Sequence, residues 1–212
     1  MYIQTEGIIL RQVKTVNARR MISIFSKNYG KISCGTNITE GGKNKTALAL
    51  RPFTYGRYEL FKNKDSYNVQ AAETIKSYYG IGEDIDKYMA ASFVLELTDL
   101  VLLEGEAQPN TFNLLKEFFE VLEKRKTAYQ TLVIAYELKL LKLQGLTASD
   151  GLKSRTGTDI IESLKFMEVH KLSELEHLAL KADTEKVIKD LLKEYFSYHL
   201  GIDHLKSEGI II

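Results

Sequence analysis

The chain has 212 residues, 44% of them apolar and 10% aromatic, which is enough for a real core in one large domain or two small ones. A formal net charge of +1 excludes a uniformly basic or acidic chain, and a single cysteine, Cys34, excludes an intrachain disulfide and a cysteine-built metal site. The net hides a split: residues 1–80 carry thirteen Lys and Arg against five Asp and Glu, and residues 81–212 carry sixteen against twenty-three. Clustered cations of this kind suit a polyanion partner, because they attract phosphates and gain from counterion release.

From Met1 to about Thr74, short β-branched and aromatic runs alternate with polar or glycine-containing breaks. They predict five strands, over 3–13, 21–26, 31–36, 55–62 and 66–72. In the second, Met21, Ser23 and Phe25 alternate with Ile22, Ile24 and Ser26, so both faces are partly apolar. That pattern fits a curled small barrel better than an open one-sided sheet. Between the third and fourth strands, residues 37–52 contain Gly41, Gly42, Lys43, Asn44 and Lys45, which predicts a basic loop with a short helical turn at 46–50.

After Tyr79 the period changes to that of helices. Phe112, Leu115, Phe119 and Leu122 form one stripe, and Leu132, Tyr136, Leu140 and Leu143 another. Residues 84–103 are apolar on several sides, as a central helix is. Gly105 and Gly145 are placed as helix-terminating glycines. Ser173 with Glu176 reads as a capping box, Asp159 with Glu162 as a weaker one, and a last helix ends near Gly201. The stretch 89–103 is broken by Glu96, Thr98 and Asp99, too short and polar to span a bilayer, and MYIQTEGIIL has no signal-peptide pattern. The expected location is the cytosol, with no membrane partner.

Arg11, Lys14, Arg19 and Arg20 flank the first predicted connection, and Lys27, Lys31, Lys43, Lys45, Arg51 and Arg57 border later turns and strand edges. Solvation accounts for any one of them. As a cluster they exceed what solubility asks for and suggest a groove that tracks phosphates. Phe25, Tyr29, Tyr55, Tyr58, Phe61 and Tyr67 are the aromatic candidates for base stacking. Phe25 and Phe61 suit the core, whereas Tyr29 and Tyr55, each beside a turn glycine (Gly30, Gly56) where a ring can stand clear of the barrel, are the preferred stacking residues. Catalysis finds little footing. His170, His177, His199 and His204 lack ligand spacing, and neither a phosphate-binding GxxxxGK[ST] loop nor a GxSxG elbow occurs. Neither an enzyme nor a cofactor is expected.

Several landmarks, in order, resemble the RecO family of bacterial recombination mediators: Glu6-Gly7-Ile8-Ile9-Leu10-Arg11, Arg20 to Ser26 leading into Gly30 to Ser33, and Arg51-Pro52-Phe53-Thr54. The similarity continues through Leu95 to Asp99, Phe112 to Leu115, Tyr136 to Leu141 with Gly145, and His204 to Ser207. Each motif is soft alone; their collinearity over nearly the whole chain carries the resemblance. Many members hold zinc with four cysteines between the long helix and the last helices, but residues 147–166 have none here, so no metal is expected. Members also bind the acidic tail of single-stranded DNA-binding protein through basic residues before a Phe/Tyr-Glu-Leu motif. Here Val133, Ile134 and Ala135 stand at those positions, with Lys139 and Lys142 near enough to replace the charge.

The expected fold is α+β: a five-stranded OB-fold barrel for nucleic acid over 1–80, then an α-helical protein-interaction domain over 81–212. The resemblance implies binding of single- and double-stranded DNA, annealing of complementary strands and, with RecR, loading of RecA. An RNA-binding or translation-related barrel protein, or a structural protein meeting an acidic surface, are the alternatives.

Overall fold

The structure, a computed structural model, describes residues 1–14, 20–38, 45–64, 66–153 and 155–207. Five strands come first: β1 (Tyr2–Lys14), β2 (Arg20–Ser26), β3 (Gly30–Thr36), β4 (Thr54–Lys62) and β5 (Tyr67–Ser77). The last runs five residues beyond its predicted end. A five-residue helix, α1 (Lys45–Ala49), stands where the helical turn is expected.

The strands pair in the order β1-β2-β3-β5-β4 and β4 returns to β1, so the sheet closes into a barrel. All pairings are antiparallel except β3 with β5. One strand can serve both seams because β1 is long: its first half pairs with β4 and its second half with β2, past a bulge between Ile9 and Arg11. Closure removes the exposed edges that an open sheet of this size would present. Ile3, Ile9, Ile22, Ile24, Ile32, Cys34, Tyr58, Leu60 and Val69 fill the interior. Burial pushes the Cys34 thiol up to about 12, which keeps it a neutral apolar filler.

The outer face of β2 is covered as well from Ser23 to Phe25. Phe25 is fully buried there, its ring edge-on to Phe112 at 5.4 Å, and Ser23 lies beneath Asp99. Phe61 is not core: it is half-buried on the outer side of β4, 5.0 Å from the Tyr2 ring. Gly56 is not a turn glycine either; it lies inside β4 opposite Gly7, where a Cβ would come within 2.7 Å of the Glu73 carbonyl oxygen.

The helices that follow are α2 (Ile85–Val101), α3 (Pro109–Lys124), α4 (Tyr129–Leu143), α5 (Ala148–Gly151), α6 (Thr158–Val169) and α7 (Ala182–Leu200). The chain divides into two compact units, Met1–Glu83 with Leu95–Phe112, and Asp84–Val94 with Asn113–Ile212. Besides a boundary at Glu83/Asp84, close to residue 80, the division falls inside α2 and again inside α3.

In the second unit α4 is the most enclosed element, with ten buried residues. Tyr136 from α4 meets the Phe118 ring of α3 edge-on at 5.2 Å. Asp84 caps α2 by accepting the N–H groups of Asp86 and Lys87 at 3.0 and 3.1 Å. Gly145 (φ 79°) and Gly201 (φ 66°) terminate α4 and α7 in the left-handed region that glycine enters cheaply. Gly105 (φ 76°) does not end a helix, lying four residues beyond α2.

The capping box sits two residues before its predicted place: Glu174 accepts the Lys171 N–H at 2.9 Å and opens a single 3₁₀ turn, Leu172–Leu175. Ser173 instead donates to Glu117. Asp159 is already inside α6, whose N-cap is Gly157. Leu143 leaves its predicted stripe, being 41% exposed.

Candidate nucleic-acid interface

Taking Leu95–Phe112 into the barrel unit changes its electrostatics. That segment and Glu83 bring five carboxylates and no cation, so the unit holds thirteen Lys and Arg against ten Asp and Glu. Most of the surplus seen in residues 1–80 is balanced within the fold.

The pairing is specific. Asp99, on α2, accepts the Ser23 hydroxyl at 2.9 Å and lies 3.3 Å from the Arg11 Nε; its Oδ1 is 3.7 Å from Lys31 Nζ. Lys31 also donates to the Asp99 backbone carbonyl at 2.6 Å. One carboxylate therefore serves β1, β2 and β3 together. Beside it, Glu104 accepts the Ser33 hydroxyl at 2.6 Å, and the Gly105 N–H reaches the Lys31 carbonyl at 3.0 Å. Arg11 and Lys31 thus meet protein carboxylate on the barrel exterior because the acidic segment returns to this face, which covers most of the Lys31 side chain and leaves that of Arg11 63% exposed.

Other candidates divide in the same way. Lys27 lies 4.0 Å from Glu6, and Arg57 pairs with Glu73 at 3.2 Å, both at exposed positions where such pairs are weak. Arg20 is buried, its guanidinium donating to the Ile38 carbonyl, so it ties β2 to the chain after β3 instead of facing a ligand. Tyr55 is only 8% exposed: its hydroxyl donates to Glu6 and its ring lies 6.1 Å from Phe112, so it does not stand clear of the barrel. Tyr58 is wholly interior and donates to the Ala49 carbonyl at 2.9 Å. Tyr29 remains 39% exposed, and Lys14, Lys45 and Arg51 are exposed. Arg19 and Lys43 lie outside the described residues.

Two cations that sequence reasoning passed over, Lys62 and Lys64, are exposed at the β4–β5 turn, and Lys62 Nζ stands 5.3 Å from the Tyr67 ring centre. Their signal was available, two lysines separated by one residue where β4 enters a hairpin turn.

In the second unit, Val133, Ile134 and Ala135 are buried. Lys139 is half-buried, donates to the Glu168 carbonyl at 3.5 Å, and has its ammonium pKa pulled down by burial. Lys142 is exposed. The cysteine-free stretch contains α5 and the start of α6, and Glu168 pins α5 by accepting the Ser149 hydroxyl at 2.6 Å and its N–H at 3.0 Å. Among the described residues no three His, Cys, Asp or Glu side chains gather as a metal site would need, and no helix is long and apolar enough to cross a membrane.

The fold and its charged surface define a two-unit α+β protein whose small closed barrel carries exposed cations. The family model described as Recombination protein O N terminal matches residues 1–78, and that described as Recombination protein O C terminal matches residues 82–149. The chain belongs to the RecO family.

It is 33% identical to the DNA repair protein RecO of Alkaliphilus metalliredigens over 146 residues, 69% of this chain and 59% of that one. To the protein of the same name from Acetivibrio thermocellus it is 28% identical over 165 residues, 78% of this chain and 66% of that one. To that of Clostridium perfringens strain 13 it is 32% identical over 146 residues, 68% of this chain and 58% of that one. The chain thus spans about three fifths of the length of the curated relatives it matches.

Proposed function

We propose that this protein acts in DNA repair as a non-catalytic mediator, its barrel binding single-stranded DNA, and duplex more loosely, without reading sequence. The observation that carries this is the match of both RecO models, in order, along residues 1–149. The strand order β1-β2-β3-β5-β4 supports an OB-fold. A full circuit of the pairings comes back to β1 eleven residues from where it began, one of them the bulge, which is the steep stagger such small barrels need.

Exposed Lys14, Lys45, Arg51, Lys62 and Lys64 are the backbone contacts of this interface, with Arg19 and Lys43 as further candidates. Arg11, Lys27, Lys31 and Arg57 contribute only where DNA displaces their carboxylates. Strand annealing needs two repelling backbones neutralised while base edges stay open, which a cationic surface does without a reaction centre. Annealing, and RecA loading together with RecR, belong to the proposal on the family resemblance. Docking of the acidic tail of single-stranded DNA-binding protein near Lys139 and Lys142 belongs to it on the same ground.

Fluorescence anisotropy of labelled single strands across a salt series tests it. About five phosphate contacts give a slope of log affinity against log salt of roughly −3 to −4. Absence of binding, or binding indifferent to salt, contradicts the proposal. A matched RNA oligomer competing better than DNA would redirect it to RNA.

A further inference from the structure

We propose that the barrel carries a shelf for unpaired nucleobases, formed by one outward-facing row of side chains: Val13, Met21, Gly35, Asn68, Phe61 and Tyr2. The shelf presupposes the nucleic-acid role proposed above and identifies where bases, as distinct from phosphates, are held.

The row follows from strand register. Val13 pairs with Met21, Met21 with Gly35, Gly35 with Asn68, Asn68 with Phe61, and Phe61 with Tyr2, so the six positions stand side by side across all five strands. Five of them are pleat neighbours of interior residues, Ile22, Cys34, Val69, Leu60 and Ile3, and so point out, and Val13 faces out with its cross-strand partner Met21. None of the six is buried away beneath another part of the chain. Tyr2 is 62% exposed, Val13 44% and Met21 41%, while Phe61, Asn68 and Gly35 are half-exposed.

The row also stays on one side of the barrel. About ten residues of stagger amount to about 33 Å along the strands, against about 24 Å across five of them, so the strands tilt past 45°. A row perpendicular to such strands runs more along the barrel axis than around it. Its length, about 24 Å, suits the low end of the roughly 4–16 nucleotides that one such barrel occupies.

Its chemistry suits bases. The Tyr2 and Phe61 rings, 5.0 Å apart and tilted by 57°, offer aromatic faces at one end, and Met21 with Val13 a polarisable aliphatic surface at the other. Gly35 leaves a dip between them, since a Cβ there would meet Asn68 Oδ1 at 3.1 Å. Asn68 supplies an amide at the centre. Cations lie next in chain at the ends: Lys14 after Val13, and Lys62 with Lys64 after Phe61. Scattered exposed apolar residues are ordinary on a protein surface; four in one register, with a glycine and an amide between them and lysines beside them, match a single strand that is anionic along its backbone and apolar on its base faces.

The test compares binding of a deoxythymidine oligomer with that of an abasic oligomer of the same length, for the full chain and for Tyr2→Ala/Met21→Ala. Tyr79→Ala, exposed in the same unit but off the row, is the control. The unaltered chain is expected to favour the thymidine strand at least tenfold. The double variant loses that preference while keeping its affinity for the abasic strand and its salt slope. Met21→Gln alone, which adds no charge, does the same, which separates a lost shelf from a misfolded barrel, with thermal melts reported for each variant. The shelf is overturned if the double variant keeps the preference, or if the unaltered chain binds both strands equally, in which case backbone binding still stands. Binding of neither strand overturns the shelf and the nucleic-acid role together.

Discussion

Asp99 and Arg11 face each other across the outside of the barrel, Oδ2 to Nε 3.3 Å, while the same carboxylate accepts the Ser23 hydroxyl and neighbours Lys31. Two cations and a hydroxyl are also what a bound phosphate would take. The acid therefore sets how much of this face is open to DNA.

Replacing it with Asn removes the charge and keeps the shape. Asp99→Asn is expected to raise affinity for single strands several-fold at low salt and to steepen the salt slope by about 1.4, two added contacts at about 0.7 each. Because the side chains of Asp99 and Lys31 are only 14% and 16% exposed, the variant also loses roughly 1–3 kcal/mol of stability. An unchanged slope in anisotropy titrations would mean that Arg11 and Lys31 lie off the DNA path.

Gly30 tests the returning segment from its backbone side. It sits at φ 69°, and a Cβ would fall 2.0 Å from the Glu106 carbonyl oxygen. Gly30→Ala should cost about 2 kcal/mol or more in denaturant unfolding, whereas Gly80→Ala, with open space around it, should be near neutral.

Asp84 couples α2 to pH. The backbone N–H groups of Lys87 and Asp86 and the Tyr129 hydroxyl hold its carboxyl below the usual carboxylate range, Lys87 foremost. Its folded value lies below the unfolded one, so its contribution is complete above about pH 4 and fades as pH falls. Asp84→Ala should cost about 1 kcal/mol at pH 7, as loss of an N-cap does, and that deficit should shrink in melts below pH 4.

Arg125 is a buried cation that donates to three backbone carbonyls: Thr127 at 2.9 Å, Leu175 at 2.8 Å, and Leu178. Burial lowers its pKa, against the charges of Glu176 and Glu185, which raise it. Arg125→Met strands three acceptors and should destabilise the helical unit by roughly 2–4 kcal/mol, read by thermal melts, while leaving the DNA salt slope unchanged.

The sequence showed the elements well because period carries them. The β2 alternation with both faces apolar meant a barrel whose outside is also covered, and Phe25 against Phe112 is that cover. What it could not show depends on long-range return. Nothing near Arg11 or Lys31 in the chain announces Asp99, so counting charge up to residue 80 overstated what the folded unit exposes. Tyr55 and Gly56 looked like a turn because glycine next to an aromatic residue is ambiguous; register places both inside β4, with Tyr55 under Phe112. Register is likewise what aligns Met21 with Phe61, and no local pattern reveals that alignment.

In the function proposed here the N-terminal barrel grips a nucleic-acid backbone through its exposed lysines. Salt titration of single-strand binding by the full chain and by Lys62→Gln/Lys64→Gln tests it most directly. The account predicts a slope near −3 to −4 for the unaltered protein and one shallower by about 1.4 for the variant, uniformly across base sequences. Identical slopes, or a loss confined to one sequence, would contradict it.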